Sequence, residues 1–193
     1  MKSELIELFF TSEMSKKYHE ICPYEKCDKC EQGLVMETST ICKCSLKTIL
    51  TLIADIPSRY DVNVKVSKPL EKQLDKYKNF MVLLGEQKYI KLAAFYVAKK
   101  FIDDEKIVRY VMTSNVFRKE SQMVEDIISL NKADLIIFED IFEKQSSKEY
   151  LYEIKKRIDK NKSTIILGKT DMIIVDDDFL EIEVDDSDIT IQE

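Results

Sequence analysis

Glycine is nearly missing from this 193-residue chain, occurring only as Gly33, Gly85 and Gly168. Glycine lets backbone N–H groups fold around a phosphate, so three scattered copies exclude an intact glycine-rich nucleotide loop. Arginine is equally scarce. Only Arg59, Arg109, Arg118 and Arg157 occur, and no basic patch in the sequence argues by itself for tight nucleic-acid binding. No apolar run approaches the length of a bilayer span, so no membrane role follows. The start, MKSELIELFF, carries acids where a secretory signal would be basic and lacks a long apolar core. A reducing cytoplasm is therefore the expected setting.

What is present describes an ordinary soluble globule: 45% hydrophobic and 34% charged residues, enough for one sizeable core and a small appendage. The net charge of −6 is unevenly placed. Residues 171–193 hold ten acids and no Lys or Arg, which leaves residues 1–170 at +4. The acidic end reads as a solvated last strand with a frayed terminus, with a docking or DNA-repelling element as the alternative.

Four of five cysteines form a C-x2-C and a C-x-C pair: Cys27 and Cys30, then Cys42 and Cys44. Thiolates two residues apart reach one tetrahedral ion from a tight turn, and a second close pair about one hairpin later completes an S4 set suited to Zn2+. Four protein ligands leave no open position, so such a zinc is structural rather than catalytic. Two disulfides or buried free thiols are the alternatives, and a reducing compartment weakens the first. Cys22 and the only histidine, His19, are close enough to substitute as ligands; a spare thiol and a helix-surface residue are the plainer readings.

Residues 1 to about 20 read as a helix, and 46–54 as a short helix ending near Pro57. Residues 1–56 form an N-terminal helical, zinc-binding module. The lysine-rich stretch 61–79 reads as a connection to a second unit, 57–193. There FMVLL (80–84), IVRYVMT (107–113), DLIIF (134–138), STIIL (163–167) and FLEIEV (179–184) read as strands. Helix-like segments at 90–103, 118–131 and 146–161 alternate with the first four. This predicts an α/β unit with a five-stranded parallel sheet covered on both faces, FLEIEV being a half-exposed edge. Phe80–Leu84 should lie near the sheet centre, with Asp134–Phe138 beside it or one strand away.

The first strand leads through Gly85-Glu-Gln-Lys-Tyr-Ile90-Lys91-Leu92 into a helix, the position of a P-loop, G-x4-G-K-[ST]. Gly85 and Lys91 match. Ile90 stands for the second glycine and Leu92 for the Mg2+-binding hydroxyl, and neither can do that work. The strand Asp134–Phe138 ends in Glu139 and Asp140, a Walker B pattern whose acids would hold Mg2+ and polarise water in an active enzyme. With Leu92 in place of the hydroxyl, a vestigial or structural use of Glu139 and Asp140 outweighs catalysis.

In these features the chain resembles replicative helicase loaders of the DnaC/DnaI type. The likeness rests on CDKCEQGLVMETSTICKC, IADIPSRY, FMVLLGEQKYIKLAAFYVAKKF and NKADLIIFEDIF, in that order, and covers roughly residues 22–167. It implies an AAA+-like fold, an N-terminal zinc-bearing region that engages a hexameric replicative helicase, and a body that handles ATP and single-stranded DNA. The departures fall on the nucleotide: the P-loop residues above, LGKT (167–170) where a polar sensor is usual, and no arginine after Arg157. ATP and Mg2+ are therefore not expected as cofactors. The expected function is a helicase-loader-like adaptor without ATP hydrolysis. A divergent ATPase using Lys91, Glu139 and Asp140, and a mimic that inhibits the host's helicase loading, stay open. Tyr89, Phe95, Tyr96 and Phe117 are the candidates for stacking DNA bases, with core packing as the plainer role.

Overall fold

The computed structural model describes residues 34–35, 40–57, 63–76, 80–112, 130–139, 147–168 and 180–192. At its centre is a five-stranded, wholly parallel sheet of β4 (Phe80–Gly85), β5 (Val108–Met112), β6 (Leu135–Glu139), β7 (Ser163–Gly168) and β8 (Leu180–Val184), ordered β5-β6-β7-β4-β8. The strands form where the sequence runs apolar without interruption, because both faces are covered: Met81, Val82, Leu83 and Leu135 to Phe138 are fully buried. β6 lies one strand from β4, separated by β7. The edge strand β8 buries Ile182 and Val184 and exposes Glu181 and Glu183, the alternation of a half-covered edge. Leu180 shares their parity but stays 41% exposed at the strand's start.

Three helices read from the sequence are present. α1 (Lys43–Ala54) ends at Asp55, whose left-handed conformation (φ 54°) lets its N–H reach the Leu52 carbonyl, and Pro57 follows. Arg109 on β5 donates to the Ile53 carbonyl at 3.0 Å and ties this end of α1 to the sheet. Ile49, Leu50, Ile53 and Ala54 are fully buried in the same core as the sheet. Residues 43–54 thus share the core of the unit expected to begin at 57. α3 (Gln87–Asp103) lies across β4 to β8, and its residues 90–95 are buried all round because further elements cover its outer side. α4 (Ser147–Asp159) packs on β7 through Ile154 and Arg157. The expected helix at 1–20, the expected helix at 118–131 up to residue 129, and residues 169–179 lie outside the described residues.

Two expectations need correction. The stretch 61–79 is not a plain connection: it holds β3 (Val64–Val66) and α2 (Lys68–Asp75). Ser67 caps α2 by accepting the Leu70 N–H at 3.2 Å, and Pro69 sits in the first turn, where its missing N–H does no harm. Leu70 and Leu74, one turn apart, enter the core. Tyr96 on α3 donates to Glu71 at 2.6 Å, and Lys100 pairs with Asp75 at 2.8 Å. Nor does the acidic end fray. After a 3-10 turn at Asp186–Asp188, β9 (Ile189–Ile191) pairs antiparallel with β3, Val66 opposite Ile189. Ser67 fastens the pair, its N–H donating to the Asp188 carbonyl at 2.8 Å and its hydroxyl to Asp188 Oδ1 at 2.6 Å. The ten acids hid a buried Ile189.

Candidate functional site

Ligands of open parallel sheets bind outside the carboxyl ends of the strands, and that end of β4 is where the segment 85–92 falls. Gly85 closes β4 with φ +146°, and a Cβ built on it would lie 2.2 Å from the Val184 carbonyl oxygen. Its glycine is thus required by the close approach of β8. One residue later α3 has begun. Tyr89 and Ile90 already donate their N–H groups to the Glu86 carbonyl, at 3.0 and 3.2 Å, so the segment that would wrap a phosphate is helix. Ile90 and Leu92 are core residues.

Lys91 points inward. Its ammonium forms an ion pair with Glu139 Oε1, and the two side chains are only 5% and 3% exposed. The structure therefore brings together the lysine of the first pattern and the first carboxylate of the second, and joins them to each other. A buried ammonium is tolerable only with such a partner, because an unpaired charge in low dielectric is strongly disfavoured. Asp140 lies outside the described residues.

A cavity of about 390 Å³ opens at the carboxyl ends of β4 and β8. Among the described residues, Gly85 and Tyr89 line it together with four carboxylates, Glu86, Glu183, Asp185 and Asp186, and none of its lining residues is a lysine or arginine. The hydroxyl and then the backbone N–H of Ser187 hold the Asp185 carboxyl below its ordinary range, so it is anionic at neutral pH. A space lined in this way repels a triphosphate. The acids were visible in the sequence as a charged tail; what was not visible is that β8 brings them beside Gly85 and the start of α3.

Part of the thiolate set is described. β1 (Leu34–Val35) and β2 (Thr40–Ile41) form an antiparallel hairpin between the two cysteine pairs. Cys42 follows β2 directly as the extended N-cap of α1 and is 7% exposed, and Cys44 lies in the first turn. Cys27, Cys30, Cys22 and His19 lie outside the described residues, among which no cluster of three metal-ligating side chains occurs.

Of the stacking candidates, Phe95 is buried edge-on against Tyr110 with ring centroids 5.4 Å apart. Tyr96 is engaged by Glu71 and lies beneath Lys100 Nζ, 4.6 Å from the ring centroid. Tyr89 is half-buried beside Lys88, at 5.3 Å, and Phe117 lies outside the described residues. The sequence also gave no sign of what Arg157 does. It is 1% exposed and donates to the carbonyls of Leu130, Ala133, Asp134 and Ser163 and to Thr164 Oγ1, at 2.7–3.4 Å. These acceptors lie at the amino ends of β6 and β7, so Arg157 staples the base of the sheet and is remote from the cavity.

Neither a scan against protein-family models nor a search of curated proteins gives a match to this chain. Among the described residues, no helix is long and apolar enough to cross a membrane.

Proposed function

We propose that this chain is a DNA-replication accessory protein, a loader-like adaptor that binds a hexameric replicative helicase without hydrolysing ATP. The observation that carries the non-hydrolytic half is the buried Lys91–Glu139 pair. A lysine that must hold outer phosphates and a carboxylate that must polarise water are spent on neutralising each other, inside a helix that leaves no cradle. The acid-lined cavity adds an electrostatic argument in the same direction. The helicase half rests on the resemblance: the cysteine loop, IADIPSRY and the order of the two strand-end patterns.

In this reading the parallel sheet is a rigid base from which α1 projects the hairpin and its cysteines. Structural zinc on Cys27, Cys30, Cys42 and Cys44 would hold that small module, which has little core of its own, in a shape a partner can bind. Because α1 shares the sheet's core, the test uses the full chain. Purified protein should carry about one Zn2+ per chain. It should also co-sediment with a ring helicase of the DnaB type, and Cys27→Ser should remove both metal and helicase binding while the sheet stays folded. Helicase capture that survives complete metal loss would place the interface on the sheet body; no capture by the zinc-loaded protein would end the adaptor reading.

A further inference from the structure

The two edges of the parallel sheet are finished differently. At β5, α1 packs against the strand and Arg109 reaches to the Ile53 carbonyl. β8 stands last in the order β5-β6-β7-β4-β8 and, among the described residues, pairs only with β4. Its outer row of backbone N–H and C=O groups has no strand partner there, which is the condition for adding a further strand. Glu181 and Glu183 are exposed on one face of β8, and neither is in an ion pair among the described residues. On the other face Ile182 and Val184 are buried, yet Leu180, of the same parity, is 41% exposed. The strand ends at the cavity of about 390 Å³, where Glu183 is joined by Glu86, Asp185 and Asp186 beside Tyr89. Acids on an edge strand have a sufficient cause in keeping copies of a sheet from pairing. An exposed leucine on the same strand and a cavity at its end do not follow from that cause.

We propose that the β8 edge is a docking site for an extended segment of a partner protein in which Lys or Arg alternates with apolar residues. Strand addition supplies backbone hydrogen bonds, and the alternate side chains supply selectivity. Side chains directly across a strand pair lie about 4.5–5.5 Å apart at Cβ, so two cations on one face of the added strand meet Glu181 and Glu183. The next cation on that face, two residues further along, enters the cavity, whose carboxylates and aromatic ring suit an ammonium or guanidinium group. The apolar residues between the cations fall on the face of Leu180 and cover it. The period of two fixes the register, because a slip by one residue sets apolar side chains against the glutamates. Charge also selects the occupant. A second copy of β8 brings glutamates against glutamates and a nucleic acid brings phosphates, so both are repelled where a basic segment is attracted. The assignment rests on neither the helicase reading nor the zinc, because the edge belongs to the sheet.

The test is fluorescence anisotropy of the full chain with a labelled peptide alternating lysine and valine, compared with a peptide of the same composition whose lysines are blocked together. The expected result is saturable binding of the alternating peptide and at least about tenfold weaker binding of the blocked one. Glu181→Lys combined with Glu183→Lys should weaken the alternating peptide at least about tenfold, since two attractive cross-strand pairs become repulsive. The same variant should instead bind a peptide alternating glutamate and valine. N-methylation of every second peptide residue separates strand pairing from bulk charge: in one phase the methyl groups face away from β8 and binding persists, and in the other they block the edge. Circular dichroism checks the fold, which these exposed positions should leave intact. No saturable binding up to about millimolar peptide overturns the proposal, as does a charge-reversed variant that binds like wild type. Equal affinity for the blocked peptide, or equal binding of the two N-methylated forms, overturns it in favour of charge attraction without pairing. Sedimentation as a dimer with β8 protected from hydrogen exchange would overturn it in favour of a second copy.

Discussion

Two buried cations, Arg157 at the base of the sheet and Lys91 at its carboxyl end, are held in different ways. Arg157 spreads its charge over five hydrogen bonds to carbonyls and a hydroxyl, one for each N–H of the guanidinium fork. Lys91 instead sets its charge against a carboxylate, Glu139. The first arrangement locks together the turn at 130–134, β7 and α4. The second joins a helix to a strand end and closes a site. A multidentate fork builds structure, whereas a point charge paired with a point charge can be replaced as a unit.

The largest expected effect breaks the first arrangement. Arg157→Leu should destabilise the protein by more than about 4 kcal/mol, because five buried acceptors lose their donors at once. Arg157→Lys should recover only a minor part, as a lysine cannot reach them all; denaturant unfolding measures both. Next, Lys91→Met should cost about 3 kcal/mol by leaving Glu139 buried and charged. Lys91→Met combined with Glu139→Leu should return most of that loss, and a double-mutant cycle reads the coupling. If the double variant is no more stable than the single one, the pair is not the replaceable unit described here.

Smaller effects sharpen the contrast at the edges of the site. Gly85→Ala should lower stability by about 2 kcal/mol, since it places a Cβ against the Val184 carbonyl and strains a positive φ. Hydrogen exchange should show β8 loosening first. Ser67→Ala should cost about 1 kcal/mol, through loss of the α2 cap and of the hydroxyl contact to Asp188, with faster exchange confined to residues 64–66 and 189–191.

The parts of the fold legible in the sequence are those with local causes. Strands β4 to β7 were readable because buried parallel strands are nearly continuous apolar runs, β8 because its apolar and acidic residues alternate, and α1, α3 and α4 because their apolar spacing is helical. β3 and β9 were not, since each has three residues and their pairing joins opposite ends of the unit. α2 was hidden by its lysines and by Pro69, which looked like a break and is a first-turn proline. At the site, the positions of Gly85, Lys91 and Glu139 were legible as patterns. Their use was not, because only the order β6-β7-β4 and the helical start of α3 bring two separate sequence patterns into one ion pair.

The most direct test is calorimetric titration of ATP with Mg2+ into the unmodified 193-residue chain. The account predicts no saturable heat up to millimolar nucleotide and no turnover above background. Saturable submillimolar binding that disappears in Lys91→Ala, while that variant remains folded, would contradict it and favour a nucleotide-dependent activity.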